Sequence, residues 1–434
     1  NSIKGREYGF VDITADAGMS YYYKLEAIEF SMAGSFHGPV MSQPAQPDEA
    51  EGSVGSGGSG GPAVPPEAGS SGVYKIYVRE DGIYRLTHTN LTAGGVTNLA
   101  AWTVGNTRLY NMGSEIPVSI HDEGDGFFGT NDHIEFFGTG LVSRFTGDNV
   151  YWLYQATNAG LRIPEVGISG GSTVTSAWNT MHFEEDKMYW EALPDEAPDD
   201  DHWFFSAVIS APETTDIKPA LQHVSGVTSS ATVRIALRGI NYTVDHHIQV
   251  EINGQILPDG FWSGDSQYVY SADFQQTNLV TGTNTIMITA PGDTGAPIEQ
   301  LVVNWAEIDY VRTLDSDNSF LAVRPETAGT MSFKVSGLAE SDCRVFSINN
   351  ETNLSLITNT VIQGTGPFNV TFSASLDSNT TLAVASPSGL KAPVLIQEAS
   401  LPGLRNTTNG ADYIIIAHGA FVAASQPLAD FRSA

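Results

Sequence analysis

Residues 232–254 read TVRIALRGINYTVDHHIQVEING. They hold two short runs, Thr232-Val233-Arg234-Ile235-Ala236-Leu237 and His247-Ile248-Gln249-Val250-Glu251-Ile252, the second closed by the turn pair Asn253-Gly254. Similar runs recur at near-regular spacing: Tyr268-Val269-Tyr270, Thr285-Ile286-Met287-Ile288-Thr289 and Ile308-Asp309-Tyr310-Val311, with turns at Asp259-Gly260 and Pro291-Gly292. Short strands separated by turn residues, with no helical period, predict a jelly-roll-like β-sandwich over residues 161–313.

The same style continues on both sides. Residues 314–404 predict a smaller sandwich. Residues 73–160 predict a compact β-domain that opens with the alternating run Val73-Tyr74-Lys75-Ile76-Tyr77-Val78, turns at Glu80-Asp81-Gly82 and returns through Ile83-Tyr84-Arg85-Leu86, a hairpin signature. Residues 43–72 are Gly-, Ser- and Pro-rich without an aromatic. Such a stretch cannot bury enough surface to offset its ordering entropy and reads as a flexible linker. Residues 1–42 hold two or three strands, too few to close a sandwich alone. After Gly410 the character changes: Asp412-Tyr413-Ile414-Ile415-Ile416-Ala417 reads as an apolar strand of the kind covered on both faces, and residues 421–432 read as a helix containing Pro427. Strand, loop and helix are the first half of a βαβ unit, so residues 405–434 are expected to open an α/β domain.

The 434 residues carry 49 acidic and 20 basic side chains, a formal charge of −29. That length predicts several domains. With no Lys/Arg cluster, nucleic-acid binding is excluded as a function class, because neutralising phosphates needs several cations on one surface. No apolar run approaches the roughly 20 residues of a membrane-spanning helix. One cysteine cannot form an internal disulfide. The acidic excess, together with few Lys and much Ser, Thr, Asn and Gly, leads to the expectation of a secreted or cell-surface protein.

Candidate chemistry is sparse. Residues 121–132, HDEGDGFFGTND, place Asp122, Glu123, Asp125, Asn131 and Asp132 around glycines, and Ca²⁺ is the ion such oxygen donors would take. The spacing lacks the closing bidentate Glu of an EF-hand, and the competing reading is an acidic turn between strands. The acidic run Pro194-Asp195-Glu196-Ala197-Pro198-Asp199-Asp200-Asp201 reads as a solvated loop. Cys343, the single thiol, sits between Asp342 and Arg344 and reads as a small buried side chain. His246 and His247 are neighbours on a strand and point to opposite faces, so they cannot chelate one ion together. His418 ends the apolar strand where α/β sites form, but without a nucleophile after it a loop histidine is the plainer reading. Trp262, Tyr268 and Tyr270 would serve either as a sugar-stacking platform or as core.

Tyr22-Tyr23-Lys24-Leu25-Glu26 with His37-Gly38-Pro39-Val40 resembles the closing strands of a fibronectin type III-like module. Val73-Tyr74-Lys75-Ile76 with Asp81-Gly82-Ile83-Tyr84-Arg85-Leu86, then Asp122 to Phe137 with Asn149-Val150-Tyr151-Trp152-Leu153, are similar to the amino-terminal β-region of the gingipain family of cysteine peptidases. Gly337-Leu338 through Arg344-Val345-Phe346, and Ala411-Asp412-Tyr413-Ile414-Ile415-Ile416-Ala417-His418 with Leu428-Ala429-Asp430-Phe431-Arg432, resemble the junction into that family's caspase-like domain. The resemblance implies secretion and a Cys/His dyad located downstream, so neither His418 nor Cys343 inherits a catalytic role. It thus implies a non-catalytic, prodomain-like portion whose partner is the downstream peptidase domain. The alternative is an extracellular structural or adhesive β-sandwich protein that binds another protein or a glycan.

Overall fold

The computed structural model describes residues 22–28, 34–41, 72–141, 146–190, 201–205, 208–241, 244–399 and 414–433. The acidic run at 194–200, all of the Gly/Ser linker but its last residue, and the start of the apolar strand at Asp412-Tyr413 lie outside them. The chain divides into two units, residues 1–62 and 63–434. In the first, Tyr22–Ile28 pairs antiparallel with Gly34–Met41, with a register irregularity between Tyr23 and Leu25.

The second unit is mainly β and holds three sandwiches. In the first, one sheet runs in the order Leu395–Glu398, Val73–Val78, Asn149–Gln155, Thr107–Asn111, Ser114–Ile116. It faces a sheet of Gly82–Thr87, His133–Gly138 and Ser119–His121. Alternation drives the facing: Tyr74, Ile76 and Val78 are buried from one sheet, Leu86, Ile134 and Phe136 from the other. A short helix, His88–Ala93, starts where Thr87 and Asn90 form a reciprocal capping box. Leu395–Glu398, which the sequence places with the third sandwich, pairs antiparallel with Val73–Val78 of the first. Its inward Ile396 joins that core, and the pairing covers an otherwise open edge.

In the central sandwich, Ser176–Glu184, Gln300–Thr313, Ser230–Gly239 and Gln267–Gln275 form one sheet. Glu213–Ile217, Ile286–Ala290 and Asp245–Ile252 form the other, with Gln255–Ile256 and Gly260–Ser263 added to the last strand. Val233, Ile235 and Leu237 meet Ile248, Val250 and Ile252 across the core, as the opening stretch predicts. Gly239 has no room for a side chain: a Cβ there would lie 2.1 Å from the Gly264 carbonyl oxygen and 2.4 Å from His246 Nε2.

The third sandwich stacks Glu165–Val166, Leu354–Ile357, Arg344–Ile348, Thr381–Ala385 and Phe320–Val323 on Ser172–Val174, Gly329–Leu338, Phe368–Leu376 and Val361–Gln363. Glu165–Val166 and Ser172–Val174 enter it parallel to their neighbours. The segment leaving the first sandwich is therefore spent on the edges of the third before the central one begins. First and third sandwiches share an apolar cluster that includes Ile83, Ile163, Phe346, Ile348 and Leu356. No helix among the described residues is long and apolar enough to cross a membrane.

Candidate functional site

The residues after the third sandwich differ from everything before them. Val422–Ser433 is a helix with Pro427 inside it, preceded by a short 3₁₀ turn at Gly419–Phe421. His418 begins that turn: its Nδ1 accepts a hydrogen bond from the Ala420 N–H at 3.2 Å, and its ring lies 5.9 Å from Phe421. It is a helix-capping histidine. Ile414, Phe421, Val422 and Leu428 are exposed, as are Ile416 at 95% and Phe431 at 75%. Six large apolar side chains within one short segment form a patch that water would leave if a partner covered it. Ile414 to His418 belong to no sheet, although the sequence reads this stretch as a strand. Continuous apolar strands are stable between two neighbours, and no described strand lies beside this one.

Cys343 lies on the third sandwich, between Gly329–Leu338 and Arg344–Ile348. Its thiol points at the Glu340 carbonyl oxygen at 3.4 Å, and burial, then Asp342 and Glu340, push its pKa up to about 11. A nucleophilic cysteine needs the reverse environment.

Of the five acidic-loop residues, three turn onto backbone amides of the loop, and the other two pair with each other. Asp122 Oδ2 accepts from the Gly126 N–H at 3.3 Å, Asp125 Oδ1 from Phe127 at 2.8 Å, and Asp132 Oδ2 from Gly129 at 2.5 Å. Asn131 donates from Nδ2 to Glu123 Oε1 at 2.9 Å. Among the described residues, no group of three or more His, Cys, Asp or Glu side chains converges to hold a metal ion. Three of the loop's carboxylates thus form side-chain-to-amide turns, while Asp132 Oδ1 is buried without a hydrogen-bond partner.

His246 and His247 do take opposite faces. His246 is buried against the Gly264 carbonyl, while His247 meets Asp293 at 2.6 Å and Asp259 at 3.1 Å. Trp262 is half-buried and stacks on His246 at 4.7 Å and on Tyr268 at 4.8 Å, so its indole is engaged within the domain, and Tyr270 is core. The exposed aromatic pair is elsewhere: Tyr189, 49% exposed, and Trp203, 42% exposed, lie 5.2 Å apart on the ribbon Met188–Tyr189 with Trp203–Phe204. Sequence periodicity gives no sign of it, because neither flanking run is long enough to show an alternation.

Sequence reasoning also missed the most buried charge. Glu135, 1% exposed, accepts from Arg85 at 2.5 Å and faces Arg344 Nε of the third sandwich at 3.3 Å and His133 at 3.5 Å. Burial alone would raise its pKa, but His133, Arg344 and Arg85 together hold it below the usual carboxylate range. Tyr151 donates to Glu351 across the same boundary at 2.8 Å. These contacts join two sandwiches.

No family model matches the chain, and no curated protein matches it. Among solved structures, the carbohydrate-binding CBM36-1 domain of a multidomain xylanase from the hindgut metagenome of Trinervitermes trinervoides aligns at a TM-score of only 0.20 and 12% identity, over 30% of this chain and 96% of that one. Dimeric latent PorU from Porphyromonas gingivalis aligns at a TM-score of 0.63 and 16% identity, over 84% of this chain and 36% of that one. The chain therefore shares the fold of a β-rich region of PorU and spans little more than a third of that chain's length.

Proposed function

We propose that the chain is the non-catalytic, prodomain-like β-rich portion of a secreted gingipain-like cysteine endopeptidase, and that residues 405–434 open its α/β domain. The observation that carries this reading is the apolar surface of Ile414, Ile416, Phe421, Val422, Leu428 and Phe431, which calls for a covering layer. The fold shared with part of latent PorU supports it. The Glu135 and Glu351 contacts would make the first and third sandwiches a rigid base for the peptidase domain. The dyad belongs to that domain, since Cys343 and His418 are both structural here. The test is a peptide-hydrolysis assay of the intact gene product beside residues 1–434 alone. Thiol-sensitive hydrolysis by the intact protein, with none from residues 1–434, supports the reading. Hydrolysis by residues 1–434 overturns it.

A second reading, an extracellular adhesive protein, draws on the exposed pair Tyr189 and Trp203. Aromatic faces open to water are what glycan stacking needs. Glycan-array binding lost on Trp203→Ala would favour this reading, whereas loss on Trp262→Ala would reflect damage to the stack with His246 and Tyr268.

A further inference from the structure

The central sandwich has an opening on one side, between Ser176–Glu184 at the edge of one sheet and Glu213–Ile217 at the edge of the other. It is a cavity of about 260 Å³ with an apolar floor of Phe183, Phe205, Ile217 and Val303. Phe183 and Phe205 stack at 5.4 Å and 30°. Its mouth carries Lys187 and Lys218, each just past the end of one edge strand. Each is paired with an exposed carboxylate two residues back along its own chain, Lys187 with Glu185 and Lys218 with Asp216, the latter at 2.6 Å.

The lysines are the distinctive feature. The chain has only seven, against 49 acidic residues, and two of them converge on this cavity. Exposed pairs of this kind contribute roughly 0–1 kcal/mol, so a ligand carboxylate can replace Glu185 or Asp216 at little cost while its apolar part fills the floor. The mouth of a β-sandwich, with an apolar lining and a few polar groups at the rim, is a common place for a small ligand. We infer that this opening binds an apolar group carrying a free carboxylate, the chemistry shared by an arylalkyl carboxylic acid and by a peptide ending in an apolar residue, with Lys187 and Lys218 holding the carboxylate. The inference does not depend on the peptidase reading.

The test is ligand-observed saturation-transfer NMR on residues 1–434 with 3-phenylpropionate and acetyl-glycyl-phenylalanine, each beside its amide. Both acids are expected to bind at least about tenfold more tightly than their amides, the loss that follows from removing a charge-assisted hydrogen bond. The exposed double variant Lys187→Gln/Lys218→Gln should erase that preference, and Lys334→Gln on the third sandwich should keep it. Tighter binding of the peptide assigns the site to peptide ends; tighter binding of phenylpropionate assigns it to free acids. Equal binding of acid and amide, no binding at about 10 mM, or an unchanged preference in the double variant would overturn the inference.

Discussion

Glu135 shows what a single residue does here. It comes from the first sandwich, Arg344 from the third, and the carboxylate between them is removed from water. Removing one partner of a buried ion pair costs more than the pair contributes, because the other charges remain desolvated. Glu135→Gln should lower stability by about 3 kcal/mol in urea denaturation. The sign of its pH dependence follows from a depressed folded pKa. The contribution is present above the unfolded value near 4.3 and is lost as pH falls through the lower folded value, so acid unfolding should be less steep in the variant. Cys343 gives a second residue-scale expectation. With its thiol held near 11, alkylation by iodoacetamide at pH 8 should run at least about tenfold slower than for a free cysteine. Only part of the Cys343 environment is local: burial raises its pKa most, and the sequence neighbours Asp342 and Glu340 add to it. Glu135 was not readable, because Arg344 is distant in sequence and no local pattern reveals such a pair.

At the scale of elements, strands and most turns were legible, since alternation over four or more residues is a local property. What escaped was strand pairing: Val73–Val78 and Gly82–Thr87, read as one hairpin, lie in two facing sheets and pair with Asn149–Gln155 and His133–Gly138 instead, and the edge strands were assigned wrongly as well. Leu395–Glu398 and Ser172–Val174 are too short to announce a partner, and pairing is decided by which edge remains open. The outer face of the central sheet carries a polar ladder in which His182 meets Glu184 at 3.0 Å and Glu307 at 3.1 Å, while Arg234 pairs with Glu307 and Asp309. Hydrogen bonds that His182 donates to Glu184 and then to Glu307 raise its pKa to about 9. Its contribution is complete below the unfolded value near 6.5 and lost as pH rises through about 9. His182→Gln should therefore flatten the fall in melting temperature over that window. In the acidic turn at 121–132, Asp122, Asp125 and Asp132 each accept from a backbone N–H of the turn, so chelation with EDTA should leave the melting temperature unchanged. A rise of several degrees on adding Ca²⁺ would contradict that geometry.

For the whole molecule, the large apolar core clusters among the described residues lie in the three sandwiches, and the C-terminal segment contributes no residue to them. The sequence marked its change of character through composition alone. It could not show that the strand half would lack a sheet, because a strand of this kind exists only between neighbours. A lone helix of 12 residues is marginal in water, and this one contains a proline and exposes Val422, Leu428 and Phe431. On the proposed reading, a covering α/β layer supplies the stability this helix lacks alone. Hydrogen exchange of the Val422–Ser433 amides, compared between residues 1–434 and the intact gene product, tests this most directly. Exchange near the unprotected rate in residues 1–434, with protection of at least about a hundredfold in the intact protein, is the expected result. Equal exchange in the two would contradict the view that this segment opens a further domain.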